Sequence, residues 1–211
     1  MTGALDFWFE FASTYSYPAV MRIERVAAEK RVAVRWRPLL LGPLFHEQQG
    51  MKDSPFNVVP VKGAYMWRDV ERVCEAEGLP FRKPSVFPRN GLHAARAVLA
   101  CEAKGLSPGP FVRAVYTANF AADADISDVS VLGEILQEID YDGGGVLALA
   151  ATEEIKAQLK ANVAEAKQRG LFGAPSFTTA DGELFWGHDR MRQAVDWAAG
   201  LPPARREGGA A

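Results

Sequence analysis

Three short stretches of this chain combine residue types that suit ligand chemistry. The first is Ser13, placed between an aromatic, alternating run and a helically periodic one. At such a junction a hydroxyl lies beside free backbone N–H groups and the positive end of a helix dipole. It serves either as a helix cap, worth about 1 kcal/mol, or as a contact for a ligand at the carboxyl edge of a sheet. The second is Ala174-Pro175-Ser176, after the turn Gly170 to Gly173 and before a short strand. Pro175 is either a trans proline opening a strand or a cis proline of a tight turn. In the cis case the backbone of Ala174 stays free to pair with an extended ligand, as an added strand would. The third is Trp186-Gly187-His188-Asp189-Arg190, a strand that ends in a glycine turn and starts a helix. Asp189 there is either a cap or a carboxylate that holds a ligand ammonium while neighbouring amides receive a ligand carboxylate.

Other reactive residues are sparse. His46, His93 and His188 are far apart, with no i, i+4 pair of the kind a zinc-binding helix requires, so no metal site is expected. Cys74 and Cys101 each stand alone in a helical stretch, outside any C-x-x-C. They read as a disulfide or as buried reduced thiols, the second being the expectation for a reducing compartment.

The elements that must position these residues follow from periodicity. Leu5 to Phe11 alternates and is aromatic-rich, as a strand is. Tyr17, Val20, Ile23, Val26 and Ala27 then recur at helical spacing as far as Lys30, and Val32 to Pro38 alternates again. Strand, helix and strand in this span make a βαβ unit with parallel strands and a right-handed crossover. From Gly42 to Lys62 the chain is rich in Pro, Gly and Asn and reads as a long irregular connection, a type that is usually functional. From Ala64 to Arg169 the pattern is helical. Leu92 to Lys104, Pro110 to Ala122 and Val129 to Ile139 are distinct segments, and Thr152 caps another that carries Ile155, Leu159, Val163 and Ala166. Gly143 to Gly145 separate the last two. Ser176 to Thr179 and Leu184 to Trp186 flank Asp181-Gly182, a hairpin signal, and a last helix runs from Asp189 to Ala199. The order βαβ, helices, ββα predicts an α/β thioredoxin-like fold with a large helical insertion. Residues 1–41 and 170–201 form its discontinuous thioredoxin part, 42–169 the connection and insertion, and 202–211 an expected disordered tail.

Composition agrees with a globular protein. The chain has 211 residues, 24 Lys and Arg against 26 Asp and Glu, and a net charge of −2 without a basic stripe, so nucleic acid is not an expected partner. Met1 to Phe11 lacks the cationic leader of a signal peptide. No apolar run reaches the roughly 18 to 20 residues of a membrane span. A cytoplasmic location is expected.

Phe11-Ala12-Ser13-Thr14-Tyr15-Ser16-Tyr17 resembles the F-x-S-P-Y-S-[YW] segment of 2-hydroxychromene-2-carboxylate isomerases and kappa-class glutathione transferases. Pro60-Val61-Lys62-Gly63-Ala64-Tyr65-Met66 is similar to their P-x-K-G-x-Y-M, Gly173-Ala174-Pro175 to their G-x-P before a strand, and Gly187-His188-Asp189-Arg190 to their G-[SN]-D-R. The resemblance spans nearly the whole chain. Thr14 stands in place of Pro, His188 in place of Ser or Asn, and Ser54-Pro55-Phe56-Asn57 in place of G-N-x-P-P. Tyr65 to Asp69 and Phe87 to Asn90 look closer to the isomerases.

The resemblance implies a DsbA-like thioredoxin fold, a homodimer and glutathione as cofactor. Glutathione would lie along the Ala174-Pro175 edge, with its γ-glutamyl end at His188 and Asp189 and with Asn57 and Lys62 closing over it. Ser13 would donate a hydrogen bond to its sulfur. Thiols start near pKa ~8.5 and fall to about 7 or below at helix N-termini. A serine cannot form a disulfide, so the implied chemistry is thiolate catalysis. The implied reaction interconverts 2-hydroxychromene-2-carboxylate and trans-o-hydroxybenzylidenepyruvate in aromatic catabolism, on a small aromatic carboxylate that Trp67, Phe81 and Phe87 either contact or merely underlie as core. Two other readings stand beside it: a kappa-like glutathione transferase or peroxidase, and a non-catalytic thioredoxin-like binding module.

Overall fold

The computed structural model describes residues 3–50 and 52–201. Strand β1 (Ala4–Phe9) leads through the short helices α1 (Ser16–Val20) and α2 (Ile23–Glu29) to β2 (Ala33–Pro38). Strands β3 (Ser176–Thr179) and β4 (Leu184–Trp186) complete one sheet in the order β2-β1-β3-β4. β1 runs parallel to β2, with Phe7 opposite Trp36, and antiparallel to β3, with Phe7 opposite Phe177. β4 is antiparallel to β3. This is the thioredoxin-like topology with a helical insertion that the element order predicts.

β1 is aromatic because it is buried on both faces. Leu5, Phe7 and Phe9 face one core with Trp36 and Phe177, while Trp8 faces a second with Leu39, Leu44, Val163, Ala166 and Leu171. Phe7 stacks on Phe177 at 5.2 Å and meets Trp36 edge-on at 5.4 Å, the cross-strand contacts that hold the sheet's register.

Between the halves lie α3 (Leu41–Gln49), α4 (Pro55–Val58), α5 (Pro60–Ala76), α6 (Leu92–Ala103), α7 (Pro108–Phe120), α8 (Val129–Glu138), α9 (Gly143–Ala150) and α10 (Glu153–Gln168). A 3-10 turn (His188–Arg190) and α11 (Met191–Ala198) follow β4. Three expectations are corrected. The stretch 42–62 is mostly helical, because Pro55 and Pro60 occupy first helical positions, where a missing N–H costs nothing. Residues 79–91 inside the helical block carry no regular structure. Gly143 to Gly145 form the first turn of α9, capped by the Asp142 side chain, which accepts the Gly145 N–H at 3.0 Å. Thr152 caps α10 by accepting the Ile155 N–H, as its sequence context predicts. The expected disorder of Pro202 to Ala211 lies outside the described residues.

Cys74 and Cys101 are free, buried thiols in α5 and α6, and burial pushes both up to about 11. No helix among the described residues is long and apolar enough to cross a membrane.

Candidate functional site

Where β1 leaves the sheet, the chain turns sharply. The Ser13 N–H donates to the Glu10 carbonyl at 2.8 Å, which aims the half-buried Ser13 side chain into an open cleft. Ser13 is not the helix cap its position suggested. α1 begins at Ser16, its N-cap residue is Tyr15, and no side chain caps it. The Ser13 hydroxyl instead donates to the Ala174 carbonyl at 2.8 Å.

The opposite wall is the segment before β3. The Ala174–Pro175 bond is cis, and the Ala174 N–H has no partner among the described residues. The Pro175 carbonyl accepts the Gly187 N–H at 2.9 Å, which ties this wall to the turn after β4. A Cβ at Gly173 would lie 2.6 Å from Trp186 Nε1, so the glycine lets the indole pack close against this wall. Phe172 and Trp186 form an exposed aromatic pair, 5.0 Å apart, on this rim.

His188 stacks flat on Tyr15 at 5.5 Å, and its Nδ1 is buried without a hydrogen-bond partner. Burial, partly offset by the nearby Asp189, lowers its pKa and so favours the neutral ring. The Tyr15 hydroxyl donates to Asp69 at 2.9 Å. Burial and that bond push the phenol well above its ordinary value. Asp189 lines the same cleft, exposed and 3.5 Å from Arg190, without a capping bond. Lys62, in the first turn of α5, projects an exposed ammonium at the positive end of that helix.

The structure therefore brings Ser13, Lys62, Ala174, Pro175, His188 and Asp189 around one cleft of about 1200 Å³. Asn57 is placed elsewhere. Its amide donates to Asp53 and, at 3.2 Å, to the Phe87 carbonyl, bracing α4 against residues 79–91 rather than lining the cleft. Of the three aromatics only Phe87 lines the cleft; Trp67 meets it edge-on at 4.8 Å from behind, and Phe81 packs beside Trp67. The cleft exceeds the ~300–1,000 Å³ usual for one small ligand, which leaves room for two.

Two lining residues escaped the sequence reading. Glu10 is 9% exposed, and its carboxylate accepts the Ala12 N–H at 3.1 Å. Burial, partly offset by that bond, raises its pKa from 4.5 to about 7. The one signal was a charged residue inside the run Phe9-Glu10-Phe11. Arg89 is buried with its guanidinium bound to Asn119 and Asp123, and Asn119 in turn donates to the Phe11 carbonyl at 3.1 Å. The hydrogen bonds from Ser85 and Arg89 hold Asp123 down at about 2.

A family model described as a DSBA-like thioredoxin domain matches residues 4–197. A 2-hydroxychromene-2-carboxylate isomerase of Sphingobium xenophagum is 27% identical over 192 residues, covering 90% of this chain and 95% of that protein. A glutathione S-transferase kappa 2 of Caenorhabditis elegans is 26% identical over 209 residues, covering 92% and 91%. Among solved structures, a 2-hydroxychromene-2-carboxylate isomerase superposes with a TM-score of 0.81 at 21% identity, over 93% of this chain and 94% of that one.

Proposed function

The chain belongs to the DSBA-like thioredoxin domain family, and from that premise we propose that it is a glutathione-dependent isomerase of small aromatic carboxylates, of the 2-hydroxychromene-2-carboxylate type. One observation carries this reading: at the cis-proline edge the cleft presents a hydroxyl, Ser13, and no cysteine. Cys74 and Cys101 are buried in helices with raised pKa values, so neither supplies a thiolate there. Thiol chemistry at a thioredoxin-type site without its own sulfur requires a thiol from a ligand.

The residues present fit glutathione. The unpaired Ala174 N–H is a ready donor for an extended peptide backbone. Asp189 matches an α-ammonium, and Lys62 at the start of α5 matches a carboxylate. Bound glutathione supplies a thiolate that adds reversibly to an electrophilic carbon, so that a C=C bond becomes a rotatable single bond. The Ser13 hydroxyl, turned from the Ala174 carbonyl, donates a hydrogen bond that favours thiolate over thiol. Phe87 and the Phe172–Trp186 pair offer apolar surface to a flat aromatic acid.

The test is conversion of 2-hydroxychromene-2-carboxylate by purified protein, followed by ultraviolet absorbance with and without glutathione. Conversion that requires glutathione without consuming it supports the isomerase. Consumption of glutathione into a conjugate assigns a kappa-like transferase, and absence of any glutathione binding leaves a non-catalytic module.

A further inference from the structure

Glu10 is a buried carboxylic acid of the cleft that the scheme above leaves unused. Its placement is specific. It follows the end of β1 and precedes Ser13 by three residues, with its backbone carbonyl holding the Ser13 N–H at 2.8 Å and the Tyr116 hydroxyl at 2.6 Å. Its carboxylate folds back to the Ala12 N–H at 3.1 Å, beside the residue that bears the reactive hydroxyl. Gly91 packs directly against this segment: a Cβ there would sit 2.9 Å from the Phe11 Cβ and 3.2 Å from Glu10 Oε1. We propose that Glu10 is the proton-transfer residue of this site, taking the proton of a thiol bound beside Ser13 and returning it later. This rests on the glutathione reading above.

The chemistry requires such a group. A hydroxyl can donate a hydrogen bond to a developing thiolate but has no capacity to take up a net proton at neutral pH. In the step proposed, the S–H bond breaks and its electron pair stays on sulfur. The proton forms an O–H bond on Glu10, and the negative charge moves from carboxylate to sulfur. The reverse transfer reprotonates sulfur before release. The group is tuned for the task, since burial alone lifts it to a value near neutrality, where a general base is most effective. No other charge competes for it. The Tyr116 hydroxyl, from α7, donates to its backbone carbonyl, and Arg89, from residues 79–91, is committed to Asn119 and Asp123. Lys62 and Asp69 of α5, Lys52 and Asp53, and Asp189 and Arg190 after β4 line the same cleft, and burial is the dominant cause of the Glu10 shift.

The experiment is stopped-flow ultraviolet detection of thiolate on mixing the protein with glutathione, with affinity measured separately by titration calorimetry. Glu10→Gln keeps an acceptor for the Ala12 N–H, so affinity should hold while the rate of thiolate formation at neutral pH falls by at least tenfold. Glu10→Ala should be slow and recover with added formate. Time-resolved infrared spectroscopy of the wild type should show a protonated carboxyl band rising with the thiolate, absent with S-methylglutathione. An unchanged rate in Glu10→Gln, no formate rescue, or no carboxyl band overturns the assignment. If the wild type binds glutathione and these signals fail, Glu10 alone is wrong; if the wild type does not bind glutathione, the functional reading falls with it.

Discussion

The Ser13 hydroxyl and the Ala174 carbonyl, 161 residues apart in sequence, meet at 2.8 Å across the edge of the sheet. That contact joins the end of β1 to the turn before β3 and places one rotatable donor beside the Ala174 N–H, which has no partner among the described residues. Loss of the donor should barely disturb the fold, because a single half-buried hydrogen bond contributes about 1 kcal/mol.

Ser13→Ala should accordingly remain folded and bind glutathione through its other contacts. The bound thiol should titrate at higher pH than in wild type, and turnover should fall at least tenfold at neutral pH. Thiolate absorbance against pH, recorded for both proteins, checks this. Coincident titration curves with reduced activity would show that the hydroxyl acts elsewhere in the reaction.

Asp189→Asn should weaken glutathione binding by roughly 1.5 to 3 kcal/mol, the range for a hydrogen bond to a charged group. Stability should be unchanged, since Asp189 is exposed and makes no capping bond. Calorimetric titration decides between a ligand contact and a surface carboxylate paired only with Arg190.

Glu10 makes stability depend on pH in a stated direction. Its pKa rises from 4.5 to about 7 on folding, so between these values the folded state holds more protons than the unfolded one. Stability therefore falls as pH rises through that window, by about 3 kcal/mol once Glu10 is fully ionised. Glu10→Gln does not titrate. It should be more stable than wild type at pH 8 and lose that advantage at pH 4, as measured by urea unfolding at both values.

Gly173→Ala puts a Cβ where only 2.6 Å separates it from Trp186 Nε1. Trp186 is half exposed, so its indole should swing outward and break the pair with Phe172. Glutathione binding should weaken because the cleft wall shifts, and the fluorescence of Trp186 should move toward that of a solvent-exposed indole. Wild-type fluorescence and affinity together would contradict this account of the rim.

Much of this was legible along the chain. The alternating runs at Leu5 to Phe11 and Val32 to Pro38 and the Asp181-Gly182 turn mark the strands, because period-two patterning and turn chemistry are local properties. Prolines misled at Pro55 and Pro60, since the same residue that breaks a helix interior also starts one, and local pattern does not tell which. Ser13 read as either a cap or a ligand contact, and its hydroxyl pairs with the Ala174 carbonyl instead of capping, because the N-cap of α1 is Tyr15, two residues further on.

What only the tertiary structure decided is which side chains share solvent. Asn57 carries a motif-like position, yet its amide is spent on Asp53 and the Phe87 carbonyl. Glu10 reads as an anomaly in an aromatic strand, and only its burial in the folded chain, against the Ala12 bond that opposes the shift, makes it an acid titrating near neutrality. The sequence by itself determined the strands and their order around a helical block, for these follow from interactions within a few residues. Burial, and with it the pKa of Glu10 and the meeting of Ser13 with Ala174, depends on segments that are distant in the chain and become neighbours only when the sheet closes.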